Sequence, residues 1–203
     1  DKMMGEPTGH DWFHVERVLR VAERLQAEEG GELELIQLAA LLHDLGDDQV
    51  FEFNETKGSL MLAGMMDILE VDPLMKEKIV EIVNELQYDG PNTRAPKTLE
   101  GKIVRDADWL DDLGALGIAR VFATGGNIGR TLHDPAKPLR AELAHGLHHK
   151  TKKQGTSFNY FYEKMFRLPD MMQTKTGQRL ALDRANFIRD FLKEFQLEWS
   201  GEA

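Results

Sequence analysis

Apolar residues recur at spacings of three and four along nearly the whole chain, and this pattern does most to limit the fold. Val15, Val18, Leu19, Ala22 and Leu25 line one face of a helix over about residues 12–27. Residues 33–43 (Leu-Glu-Leu-Ile-Gln-Leu-Ala-Ala-Leu-Leu-His) are more uniformly apolar, which predicts a helix buried on most sides. Gly30-Gly31 between the two is a helix-ending signal. Asp72-Pro73 is a strong start signal for a helix reaching about Gln87. Further helices are expected from Thr56 to Glu70, from Thr98, from Ile118 to Ala123 after breaks at Gly114 and Gly117, from Ser157 to Leu168 and from Thr176 to Trp199. No strand alternation, repeat or low-complexity tract interrupts this, so the expected class is all-α: a helical bundle with a long loop or lid and additional C-terminal helices. One unit over 1–203 is expected, with a core over about 9–125, the loop or lid over about 125–155 and the last helices over about 156–199.

Composition narrows the function classes. The 203 residues carry 35 acids against 25 Lys and Arg, a net charge of −10. That balance argues against binding a nucleic-acid polymer, which needs clustered cations. No cysteine is present, so disulfides, thiolate nucleophiles and Cys-ligated metals are excluded. A cysteine-free chain with no apolar run approaching the ~20 residues of a membrane span suits the cytoplasm and no membrane partner. A small anionic ligand held by a local basic patch or a metal is compatible with this balance.

The chemistry-bearing residues are few. His43-Asp44 ends an apolar helix, where two polar side chains are costly unless something satisfies them. A core histidine bonded to backbone, with Asp44 starting the loop, explains them equally well. His14 lies on the first helix, and Asp108 lies in an otherwise apolar stripe where an unpaired carboxylate is expensive. Two imidazoles and two carboxylates make a mixed nitrogen and oxygen site for a divalent ion, with positions left for water and substrate.

The motifs His10-Asp11-Trp12-Phe13-His14, Leu42-His43-Asp44-Leu45, Asp106-Ala107-Asp108-Trp109-Leu110-Asp111, Phe158 to Met165 and Met171-Met172-Gln173-Thr174-Lys175-Thr176-Gly177 together resemble the HD-domain metal-dependent phosphohydrolase superfamily, in particular its YpgQ/YedJ-like branch. The resemblance spans about residues 9–199. It implies an all-helical fold, a metal held by His14, His43, Asp44 and Asp108, and hydrolysis of phosphate bonds. For this branch it implies release of pyrophosphate from a nucleoside triphosphate. Other branches carry extra histidines mid-fold; residues 82–88 here have none, which points to one ion per chain. The mixed donor set suits Mn, Fe, Co, Ni or Zn better than Mg.

On this reading a metal-bound water attacks phosphorus, with Asp44 also orienting it. Asp47, Asp48 and Glu55 beside the ligands are candidate general bases; a solvated acidic loop is the plain alternative. His10, one turn before His14, is a candidate substrate contact. Arg17, three residues after His14, meets either a phosphate or a nearby acid. Lys150 and Lys153 belong to a stretch over 135–155 with five basic residues and one acid, suited to a lid over a triphosphate or simply to a surface loop. Two competing readings are a phosphatase or phosphodiesterase of the same fold acting on another ester, and a regulatory module that binds a nucleotide without turnover. The extra C-terminal helices offer a surface for a homodimer.

Overall fold

The computed structural model describes residues 8–9, 11–46, 55–140 and 155–203, with the side chains of 46, 55–57 and 91 outside that description. Helix α1 (Trp12–Glu29) is capped by Asp11, whose carboxylate accepts the His14 backbone N–H at 3.0 Å. Its inward face carries His14, Val15, Val18, Ala22 and Leu25, and it ends at Gly30 with φ 86°. Helix α2 (Leu33–Leu42) is apolar on most sides, as its sequence predicts, and tightens into a 3₁₀ turn over His43–Gly46. Helix α3 spans Glu55–Ile68. Helix α4 (Pro73–Asn84) starts on the expected cap, with Asp72 accepting from the Leu74 and Met75 N–H groups.

Helix α5 (Leu99–Asp111) begins at Thr98, whose hydroxyl accepts from the Gly101 N–H. It is the central helix, packed against α1, α2 and α4. Ile103, Val104, Ala107, Trp109 and Leu110 are buried along it, and so are Arg105, Asp106 and Asp111. Helix α6 runs unbroken over Gly114–Asn127, so Gly117, Gly125 and Gly126 do not interrupt it. Gly117 instead permits close approach: a Cβ there would stand 2.0 Å from the Asp112 carbonyl oxygen. Gly125 likewise lets α6 meet Ser157 at the start of α7 (Ser157–Glu163). The helix expected through Leu168 stops at Glu163. The chain leaves helical geometry at Lys164 (φ −128°), and a 3₁₀ turn over Met165–Arg167 and the short α8 (Leu168–Met171) follow, with Pro169 in the first turn of α8.

Helix α9 (Lys175–Ser200) lies along α6 and touches α1 and α5. Its N-terminus is tied to the core by one carboxylate. Asp106 accepts from the Gln173 and Thr174 N–H groups and from the Thr174 hydroxyl, all at 2.7–3.0 Å. Among the described residues the only β feature is an isolated bridge between Thr131 and Thr156. No helix among them is long and apolar enough to cross a membrane.

Candidate metal centre

Three elements meet at one point. His14 comes from the first turn of α1, His43 and Asp44 from the 3₁₀ turn after α2, and Asp108 from the last turn of α5. The two histidine Nε2 atoms face each other at 3.2 Å. Asp108 Oδ1 lies 3.4 Å from His14 Nε2 and 3.8 Å from His43 Nε2. The Asp44 carboxylate spans the pair, with Oδ1 at 3.1 Å from His43 and Oδ2 at 3.7 Å from His14. His14, His43 and Asp44 are buried, and the Asp108 side chain is 26% exposed, which leaves one side of the cluster open.

Both imidazoles are held from behind. His43 Nδ1 sits 2.7 Å from the Ala40 carbonyl oxygen, which can only accept, so Nδ1 carries the proton. His14 Nδ1 sits 2.7 Å from Asp111 Oδ2. Burial alone would raise the Asp111 pKa, but hydrogen bonds from His14 and Arg17 and the Arg120 charge overcome it, holding this carboxyl far below the usual range. Asp111 is therefore an anion that accepts the His14 Nδ1 proton. With both Nδ1 atoms protonated, each Nε2 presents a lone pair to the other. Two lone pairs 3.2 Å apart repel unless a cation or a proton lies between them.

The separations suit a cation. Donors bound to one ion at about 2.1 Å, with angles of about 90–110° between them, stand about 3.0–3.4 Å apart. His14, His43 and Asp108 place their donor atoms within 4.8 Å of one another. The carboxylates also raise both histidine pKa values. Burial lowers that of His14, but Asp108 and Asp111 outweigh it and lift it to about 9. For His43, burial is likewise outweighed, mainly by Asp44. A divalent ion bound here would have to displace these protons.

Of the other candidates, Arg17 meets an acid: its Nε and Nη2 lie 2.8 and 2.9 Å from the two Asp111 oxygens. Glu55 is the first residue of α3, with its side chain outside the described set. His10, Asp47, Asp48, Lys150 and Lys153 also lie outside the described residues. From the basic stretch, Arg140 is not available to a ligand as a lone cation, since its N–H groups grip the buried Glu163 carboxylate at the end of α7.

Sequence reasoning assigned no role to Asp111 or Arg120. Arg120 Nη1 lies 3.0 Å from Asp111 Oδ2 and 3.2 Å from Asp112 Oδ1. The available signal was Asp111 three residues after Asp108, matching Arg17 three residues after His14: one turn along each helix from its ligand.

The helical fold and the two-histidine, two-carboxylate cluster together define the class of protein. The HD domain family model matches residues 12–113, and the chain belongs to that family. Its relatives include YpgQ of Bacillus subtilis, 31% identical in sequence over 97% of this chain and 87% of that protein. The YpgQ crystal structure in complex with ADP superposes with a TM-score of 0.75 at 27% identity, covering 99% of this chain and 96% of that one. An HD-superfamily hydrolase from Bacillus thuringiensis aligns at 35% identity and TM-score 0.72, over 95% and 87% of the two chains. A Lactobacillus plantarum protein aligns at 33% and 0.83, over 98% and 92%.

Proposed function

We propose that this chain is a divalent-metal-dependent phosphohydrolase that converts a nucleoside triphosphate to monophosphate and pyrophosphate, with one ion per chain, and that residues 1–203 act as one catalytic unit. The observation that carries the reading is the pair of facing imidazole nitrogens, 3.2 Å apart, with a carboxylate on either side. The ADP complex of YpgQ supports a nucleotide as the ligand. In this proposal His14, His43, Asp44 and Asp108 hold the ion. Such an ion polarises a phosphoryl oxygen and lowers the pKa of water.

The protein's own groups do the rest. Asp111 keeps His14 in the tautomer that points its lone pair into the site, and Arg17 and Arg120 keep Asp111 charged. Asp44, spanning both histidines, orients the attacking water. Asp47, Asp48 or Glu55 accepts its proton. His10, Lys150 and Lys153 meet the phosphates. Arg17, with Nε and Nη2 on Asp111, acts on His14 through that carboxylate rather than by touching the phosphates. Manganese is the first ion to test, because mixed imidazole and carboxylate ligation suits it.

The test is product analysis with Mn²⁺ across ribo- and deoxyribonucleoside triphosphates. Equal yields of monophosphate and pyrophosphate, lost in Asp44→Ala, are expected. Release of orthophosphate instead, or no turnover on any triphosphate, overturns the assignment.

A further inference from the structure

A lysine that the proposed metal centre does not use lies close enough to the histidine and carboxylate cluster to feel the Asp108 charge. Lys164 follows α7, where the chain leaves helical geometry with φ −128°. Its ammonium reaches back across the molecule to Asp112, 2.8 Å away at the end of α5. It also lies 5.2 Å from the centre of the Tyr88 ring. Asp112 is four residues beyond Asp108, so the two carboxylates lie on one face of the chain, about 6 Å apart along the helix axis. Lys164 is thereby anchored about one helical turn from a proposed metal ligand.

The exposures agree with a shared opening. The side chains of Asp108, Asp112 and Lys164 are 26%, 20% and 13% exposed, whereas Asp111 behind them is 4% exposed. The other cations at this end of α5 are committed. Arg17 is bidentate on Asp111, and Arg120 bridges Asp111 and Asp112. Lys164 differs from both in not being paired with the buried Asp111: of the three donors on its ammonium, Asp112 engages one. The neighbouring Asp108, Asp112 and Tyr160 overcome its burial and keep it charged at any working pH.

We propose that Lys164 is a substrate-binding residue whose ammonium, held by Asp112 and the Tyr88 ring face, contacts a phosphoryl oxygen of a polyphosphate seated on the metal centre. The inference takes its substrate class from the phosphohydrolase reading. A buried ammonium beside a carboxylate-lined site supplies the positive charge that the four aspartates of this corner (Asp44, Asp108, Asp111 and Asp112) would otherwise deny an anionic substrate. Asp112 and Tyr88 act through Lys164, as positioning residues.

The probe is inorganic pyrophosphate, titrated calorimetrically into the Mn²⁺-loaded protein in excess Mn²⁺. K164Q is expected to bind it at least about tenfold more weakly, with Mn²⁺ affinity unchanged, and K164R to recover most of the loss. Affinity in K164Q within twofold of wild type, equal loss in both variants, or no pyrophosphate binding by wild type overturns the proposal. Wild-type protein that binds pyrophosphate through Lys164 but hydrolyses no triphosphate refutes the proposed function and leaves this contact standing. Should K164Q fail to fold, the lysine Cε–Hε NMR signals of the wild-type protein loaded with diamagnetic Zn²⁺ supply the answer. Pyrophosphate then shifts the Lys164 signal and leaves that of the exposed Lys97 in place; equal shifts of both, or none at Lys164, overturn the contact.

Discussion

Asp111 Oδ2 lies 2.7 Å from His14 Nδ1, and that one contact decides which face of the imidazole looks into the metal centre. The same carboxylate takes both Arg17 and Arg120, so a single buried group serves three others. Replacing it with Asn keeps the shape and removes the charge. Asp111→Asn is expected to weaken Mn²⁺ binding about 10–100-fold. It also leaves the buried Arg120 short of a partner, at a cost of about 3 kcal/mol in folding stability. Calorimetric Mn²⁺ titration and urea unfolding check the two effects separately.

Protons compete with the ion for the two Nε2 atoms. The His14 pKa is raised from 6.5 to about 9, and His43 is raised in the same direction. The sign follows from linkage. For ion-free protein, the stability from these raised pKa values is fully present below about pH 6.5 and is lost as pH rises through about 9. Ion binding behaves oppositely, since the nitrogens must shed protons first. The rise in Tm produced by Mn²⁺ should therefore grow between about pH 6 and about pH 8. Thermal scans with and without the ion measure it, and a shift that shrinks with pH contradicts the proposed ligands.

Asp44→Ala and Asp108→Ala remove one proposed ligand each. Both should lose bound metal, read by elemental analysis after gel filtration, and Asp44→Ala should lose all turnover. Neither should unfold the protein, because the apolar cores of α1, α2 and α5 do not depend on these carboxylates.

Asp106, two residues before Asp108, should behave differently. Its carboxylate collects the Gln173 and Thr174 N–H groups and the Thr174 hydroxyl, which dock the start of α9 on α5. Asp106→Ala leaves the buried Thr174 N–H and hydroxyl without their acceptor and should cost about 3 kcal/mol. Mn²⁺ affinity of the folded fraction should stay within a few-fold of wild type. A large loss of metal with little loss of stability would assign Asp106 to the metal centre instead.

Gly117→Ala tests the α5–α6 corner. The added Cβ would meet the Asp112 carbonyl oxygen at 2.0 Å, well inside contact distance. The corner must shift, which lowers Tm and displaces the residue that anchors Lys164. Unchanged stability in urea would show that the turn has room the structure does not give it.

Much of this protein is determined locally and can be read from the chain alone. Asp72, Thr98 and Gly30 each mark a helix end, because capping needs only residues a few positions away. The burial of Val15, Val18, Ala22 and Leu25 follows from their spacing. His14, His43 and Asp108 stand out because polar groups in apolar stripes need a partner. What joins them is not local. His14 and Asp111 are 97 residues apart in sequence, and Lys164 and Asp112 are 52 apart. Asp106 and Asp108 look alike on paper, two acids on one helix separated by a single alanine. Successive positions on a helix point about 100° apart, so one carboxylate faces the α9 cap and the other the histidines. Only the packing of α1, α2 and α9 around α5 decides which is which, since each partner arrives from a distant stretch of chain, on a helix whose own periodicity says nothing of its neighbour.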